Sequence, residues 1–325
     1  MRVLITGVGG VFGSRVAQVL ERRPDVEALA GLDIVAPGRS VRRLEMLVID
    51  PLDRRAVLDA VTRFAPTAVV HLGIYEPDAR STPREAVERT AAGTVAVLGA
   101  AAELGTLDRI VVRSGIEVYG RRRGSPMTPD ESVLPDPTTP FGRSLLRVEQ
   151  LAMATGADVG VPTSALRFGP LVGPEFPSPL ARLLRMRAVP VSAIADLPFQ
   201  LLHTDDAARA VVDALERRVD GPVNVVGAGA VTAFQALRMG RRIPLRMLGP
   251  QWSLARLVSA RLGSPVPDHV LELLQRGRTA DGSRAASVLG RAPVRSTPDL
   301  ARALFSWHEV QPADWLKLVP EEEAA

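Results

Sequence analysis

The feature that most constrains this chain is a glycine spacing close to its start. A β-branched run at residues 3–5 leads directly into Thr6-Gly7-Val8-Gly9-Gly10-Val11-Phe12-Gly13, and residues 13–20 then read as a helix with Val16, Val19 and Leu20 on one face. Gly7, Gly10 and Gly13 in a strand–turn–helix answer three separate needs. The first turns the chain tightly, the second lets an outside group approach the backbone, and the third lets helix and strand pack closely. The helix start offers unpaired N–H groups and the positive end of the peptide dipoles, which together suit a phosphate. Asp33 follows 20 residues after Gly13, at the end of the second apolar run. A carboxylate there accepts from ribose hydroxyls and repels a 2′-phosphate. The pattern therefore predicts a dinucleotide site that takes NAD, with NADP disfavoured although Arg39, Arg42 and Arg43 follow closely. Asp50, after the third run, reads equally as an acceptor for the adenine amino group or as a cap for the helix starting near Asp53.

Apolar runs at 28–33, 46–49, 68–72 and 109–112 alternate with helical patterns at 54–64 and 84–104. This order predicts right-handed βαβ units on a parallel sheet. Residues 120–140 are rich in Pro, Ser, Thr and charge and read as a loop or lid. A helix at 142–155 and a strand at 163–168 follow. The expected class is α/β, a Rossmann doubly wound parallel sheet with a smaller mixed α/β C-terminal substrate lobe. The dinucleotide domain is expected over 1–168 plus 200–226, and the substrate lobe over 169–199 plus 227–325. Short helices are expected at 252–262, 268–274 and 299–305, and the acidic end Glu321-Glu322-Glu323 is expected to fray.

Composition removes several classes of function. The chain has no cysteine, which excludes disulfides and thiolate chemistry. No apolar run approaches the ~20 residues of a membrane span, and the first residues lack a signal peptide's apolar stretch and cleavage site. The expected address is the cytoplasm. All but one of the 40 basic residues are arginine, Lys317 being the exception, against 36 acidic ones. That balance reads as coding bias and not as a nucleic-acid footprint. The run Arg121-Arg122-Arg123 reads as a solvated loop. His269 and His308 have no ligand-like spacing to a carboxylate, so no metal is assigned.

Further blocks extend the pattern: Asp50-Pro51-Leu52-Asp53, His71-Leu72-Gly73, Val118-Tyr119-Gly120, Leu166-Arg167-Phe168-Gly169-Pro170, His203-Thr204-Asp205-Asp206 and Ser287-Val288-Leu289-Gly290. In order and spacing the chain resembles the extended short-chain dehydrogenase/reductases of the NAD-dependent epimerase/dehydratase family. The resemblance implies cofactor contacts from Gly7, Gly10, Phe12, Gly13, Asp33, Asp50, Pro51, Leu72 and Gly73, and by analogy a homodimer through two helices. It also implies a Ser or Thr, a Tyr and a Lys as the proton-transfer machinery. At those positions stand Gly115, Phe141 and Leu145. No shift of alignment restores the set. Tyr75 and Tyr119 are the only tyrosines, and neither has a lysine four residues on.

The first expectation is thus an NAD(H)-binding family member with a degenerate site and a non-catalytic or regulatory role. The alternative is an atypical NAD-dependent oxidoreductase, epimerase or dehydratase using another acid/base. Glu117 is the candidate, set against its reading as a surface or salt-bridged strand-end side chain. Ser114 is an unsuitable hydroxyl because a one-residue shift turns it to the other face. The stretch Leu197-Pro198-Phe199-Gln200 lacks the arginine that clamps a diphosphate in nucleotide-sugar members. The small-molecule ligand is therefore left without a class.

Overall fold

The alternation of apolar runs and helices becomes one parallel sheet in the computed structural model, which describes residues 1–77, 82–249, 251–252 and 266–307. Its strands are β1 (Arg2–Thr6), β2 (Ala28–Asp33), β3 (Leu44–Val48), β4 (Ala68–His71), β5 (Arg109–Gly115) and β6 (Thr163–Phe168). Beyond them come β7 (Leu171–Val172), β8 (Ala188–Ser192), β9 (Pro198–Phe199), β10 (Leu202–His203) and β11 (Gly221–Val225), and β11 returns to the sheet. The spatial order is β11-β6-β5-β4-β1-β2-β3. The chain winds outward from β1 to β3, then crosses back and winds the other way from β4. The reversal leaves a crevice beyond the ends of β1 and β4, where Thr6 and His71 are in register.

Side-chain alternation gives the sheet two cores. Val3 and Ile5 face helices α1 (Val11–Leu20) and α6 (Thr204–Glu216). Leu4 faces α2 (Arg54–Phe64), α3 (Pro83–Glu103) and α4 (Pro140–Val159). A third cluster draws on β8, α5 (Pro179–Arg185), α7 (Ala233–Met239), α8 (Asp268–Arg276) and α10 (Thr297–Ala303), with Phe199 and Leu201 fully buried in it. Two short pairs flank it, β12 (Val231–Thr232) on β9 and β13 (Ile243–Met247) on β8. Helix α9 (Ser283–Leu289) packs instead on the first core through Ala285 and Leu289.

Several boundaries move for local reasons. Helix α4 starts two residues before the sequence reading, because Pro140 suits the first helical turn and the Thr139 hydroxyl accepts from the Gly142 N–H at 3.1 Å. It also runs past 155 to Val159. Gly156 does not stop it, since a Cβ there would lie 2.0 Å from Thr163 Oγ1 and the glycine serves close packing on β6. Arg121 corrects the expectation of a solvated run: it is buried and donates to the carbonyls of Pro126 and Arg276. The helix expected at 252–262 falls almost wholly outside the described residues, as do His308, Lys317 and the acidic end. No described helix is long and apolar enough to cross a membrane.

Candidate cofactor crevice and active site

The glycine loop sits at the mouth of the crevice. Gly7 takes φ +72°, and a Cβ on it would lie 2.8 Å from the Leu72 carbonyl and the Gly73 N. A Cβ on Gly13 would meet the Gly7 carbonyl oxygen at 2.1 Å. Both glycines are therefore required by the fold itself. Gly10 is different: its backbone is ordinary extended chain (φ −74°, ψ 157°), and a Cβ would meet only Gly7 O, at 3.5 Å. The space over Gly10 is a cradle that a side chain would fill. As the residue before α1, Gly10 offers no side-chain cap, and the first turn carries no acidic side chain. These residues fit the pyrophosphate of a dinucleotide.

Asp33 closes the far side of the loop. Its Oδ2 accepts from Gly9 N–H at 2.9 Å and its Oδ1 from Ile34 N–H at 2.7 Å. Asp50 does not cap α2; Asp53 does, accepting from Ala56 N–H at 3.0 Å. Asp50 instead accepts from Leu52 N–H and pairs with Arg89 at 3.3 Å. Pro51 packs over Gly93 of α3. Phe12 is buried edge-on against Phe168 at 5.6 Å.

A hydrogen-bond relay holds the Leu72-Gly73 turn against the loop. Gly73 N–H donates to Thr6 Oγ1 at 3.1 Å, and that hydroxyl meets His71 Nδ1 at 2.8 Å. On the other side His71 Nε2 meets Thr94 Oγ1 at 2.9 Å, and Thr94 donates to the Thr90 carbonyl at 2.6 Å. Donors and acceptors balance when His71 is neutral with its proton on Nε2. Burial lowers its pKa from 6.5 to about 4. Stability from this histidine is therefore complete above pH 6.5 and declines as pH falls toward 4, because the unfolded chain takes up the proton first. The full decline is about 3 kcal/mol. Urea titrations of wild type and His71→Gln from pH 7.5 to 4.5 check this. The wild type should lose more stability over that range than the variant, and parallel curves would refute the assignment.

Gly115, Phe141 and Leu145 converge on a cleft beside this crevice. Phe141 and Leu145 are both buried, so the positions that resemble the family's Tyr and Lys hold only hydrocarbon. Glu117 is neither at the surface nor at a strand end. It lies on a 3₁₀ turn (Ile116–Tyr119), 7% exposed, and lines the cleft. Its Oε2 stands 2.3 Å from where a Cβ on residue 115 would be, so the carboxylate fills the space of the missing Ser or Thr side chain. The salt-bridge part of the expectation holds, with Arg278 Nη1 at 3.9 Å.

Three further groups line the cleft, Glu76, Arg113 and His269; sequence reasoning did not single out the first two and weighed His269 only as a metal ligand. His269, from α8, stacks on Phe141 with ring centroids 4.5 Å apart, and its Nε2 meets Glu76 Oε1 at 3.0 Å. Arg113 lies over Phe12 at 5.9 Å. Burial pulls its pKa down against the opposing charges of Glu76 and Glu117. Ser114 borders the cleft, but its hydroxyl is committed to Glu149 as a donor. Neither tyrosine is tuned toward neutrality. Burial, with the charge of Asp33, pushes Tyr75 up to about 12, and burial also raises Tyr119. The Tyr119 hydroxyl is held between Arg167 and Asn224. His203 caps α6 and also meets Arg295, a structural position. Among the described residues no group of three or more His, Asp or Glu is arranged to hold a metal.

A parallel sheet with its crevice at the β1/β4 reversal, a glycine loop and an acidic residue after β2 define a dinucleotide-binding α/β protein. The family model for the NAD dependent epimerase/dehydratase family matches residues 3–227. The chain belongs to that family. It is 30% identical over 310 residues to a 3-diazoavenalumate denitrifying reductase of a Streptomyces species, covering 90% of this chain and 96% of the relative. Its fold is similar to the UDP-glucose 4-epimerase of Thermotoga maritima solved with UDP-glucose, with a TM-score of 0.73, 18% identity and coverage of 94% and 98%. It is also similar to the UDP-glucuronic acid 4-epimerase of Bacillus cereus solved with NAD, with a TM-score of 0.69, 20% identity and the same coverage.

Proposed function

We propose that this protein is an NAD(H)-dependent reductase of small, non-phosphorylated carbonyl compounds that works without the Tyr–Lys pair. One observation carries the reading. The cleft where Gly115, Phe141 and Leu145 converge keeps four ionisable side chains, Glu76, Arg113, Glu117 and His269. Glu117 and His269 are buried and Glu76 and Arg113 half-buried, and a largely apolar cleft onto which a few polar side chains converge is where a small molecule is bound and acted on. A protein that only bound a dinucleotide would be served as well by an apolar cleft. The relative at 30% identity, a 3-diazoavenalumate denitrifying reductase, supports reduction as the reaction class, although its named substrate is a diazo compound. The segment before His203 supplies no arginine to the cleft, which argues against a diphosphate ligand.

NAD is the preferred dinucleotide in this reading. Gly7, Gly10 and Gly13 would hold the pyrophosphate, Asp33 the ribose hydroxyls, and Leu72-Gly73 the turn beside them. Of the arginines that follow Asp33, Arg39 is paired with Glu175 and Arg43 donates to the carbonyls of Glu21, Val26 and Glu27. Those two guanidiniums are thus engaged elsewhere; Arg42 is tied to Glu21 through its backbone N–H alone, so the preference rests on the Asp33 carboxylate. The test is to follow nicotinamide absorbance with NADH or NADPH and a panel of aryl and alkyl aldehydes and ketones. Turnover with NADH over NADPH is expected. Binding of NADH with no absorbance change on any carbonyl would return the protein to a non-catalytic role, and a preference for NADPH would overturn the Asp33 argument.

A further inference from the structure

The cleft contains one carboxylate–imidazole pair, and its placement bears on the missing proton carrier. His269 reaches the site from α8, far along the chain from every residue of the glycine loop. Its ring lies against Phe141, the residue standing where a phenol would be, at 4.5 Å between centroids. Its Nε2 is committed to Glu76 Oε1 at 3.0 Å. Its Nδ1 has no partner among the described residues, and the residue lines the cleft. With Nε2–H donating to Glu76, the neutral ring presents Nδ1 as an acceptor and the protonated ring presents it as a donor. A carboxylate that fixes the tautomer while leaving the second nitrogen for the substrate is the arrangement a general acid/base needs.

We propose that His269, oriented by Glu76, is the proton donor in reduction and the proton acceptor in the reverse direction, replacing the phenol that Phe141 lacks. The proposal rests on the reductase reading above. Reduction of a carbonyl compound adds a hydride, supplied by the reduced dinucleotide, to the carbonyl carbon. The C=O π pair moves to oxygen, and the Nδ1–H of His269 gives its proton to that oxygen. The products are the alcohol, the oxidised dinucleotide and a neutral imidazole, which solvent reprotonates. The other charges lining the cleft with the pair are Arg113 on β5 and Glu117 on the 3₁₀ turn; Glu272, one turn further along α8, is paired with Arg278 at 2.5 Å. Arg113 has no hydrogen-bond partner among the described residues, and its positive charge favours negative charge developing on the substrate oxygen.

The experiment uses the full chain loaded with NADH and the carbonyls that the panel finds reactive. His269→Gln should lower kcat by about 100-fold or more and flatten its pH profile, while NADH affinity stays within a factor of about two. Glu76→Gln should lower kcat less and shift the same profile. His269→Ala should recover activity on adding imidazole, with a pH dependence that follows the added base; a packing role alone would not produce that. A readout independent of turnover is available because the chain has only four histidines. In ¹⁵N NMR of the NAD-loaded protein, benzamide (a carbonyl ligand that NADH does not reduce) should shift one imidazole Nδ1, and that signal should be missing in His269→Gln. Activity of His269→Gln within about threefold of wild type, or no Nδ1 shift with bound benzamide, would overturn the proposal and leave the reductase reading intact. No turnover of any carbonyl by the NADH-loaded wild type would sink the reductase reading, and the acid/base role with it.

Discussion

Gly10→Val should bind NADH about 100-fold or more weakly than the wild-type chain, a loss of roughly 3 kcal/mol, without loss of thermal stability. The expectation follows from the contrast among the loop glycines. A side chain at 10 has room in the protein and a backbone conformation that valine accepts, so the fold does not require glycine there. Removing glycine even narrows the unfolded ensemble, which offsets any small local strain. The isopropyl group would occupy the space over the helix N-terminus that suits the pyrophosphate. Gly13→Ala is the control with the opposite signature. Its Cβ would press on the Gly7 backbone at 2.1 Å, so it should melt early whether or not cofactor is present. Calorimetry with NADH and thermal melting of both variants separate what the ligand needs from what the fold needs. An unchanged NADH affinity in Gly10→Val would remove the loop from the binding site.

The loop was legible because everything it needs is local. Spacing, flanking strand and following helix all lie within about a dozen residues, and Asp33 is fixed by the length of one strand–helix–strand unit. The acid/base candidates were not legible in the same way. Glu76 and His269 stand 193 residues apart and meet only because the chain past β11 folds α8 back over the cleft. No spacing rule links such a pair. Glu117 was visible as a residue but misplaced. A strand continued through it would alternate between faces, whereas β5 ends at Gly115 and the 3₁₀ turn carries the carboxylate inward. The same inward position accounts for Gly115 itself, since any side chain there would compete with the Glu117 oxygen. The loss of the Ser or Thr and the placing of Glu117 are therefore one structural change, visible in sequence only as two unrelated departures.

Behind the cleft a second buried network ties together the elements that form its floor, and it carries the largest expected effect on stability. Arg167 on β6 donates from Nε and Nη2 to both oxygens of Glu149 on α4, at 2.9 and 2.8 Å. Its Nη1 donates to the Tyr119 hydroxyl at 2.9 Å, which in turn donates to Asn224 on β11 at 2.8 Å. Ser114 on β5 adds a further hydrogen bond to Glu149. The Arg167 and Glu149 side chains are only 5% and 6% exposed. Burial works against the Arg167 charge, yet the hydrogen bonds and charge of Glu149 outweigh it and raise the pKa. Arg167→Met strands the Glu149 carboxylate in a dry interior and should cost about 3–5 kcal/mol. Domains of this kind are stable by only about 5–15 kcal/mol, so the variant should sit close to unfolding at room temperature. Replacing both partners, Glu149→Leu with Arg167→Met, should recover much of the loss, because the penalty belongs to the unpaired charge and not to the missing ion pair. Urea unfolding of the two single variants and the double variant gives the coupling directly. A cost below about 1 kcal/mol for Arg167→Met would mean that water reaches Glu149, and the network would no longer explain how β5, β6 and α4 hold the cleft in shape.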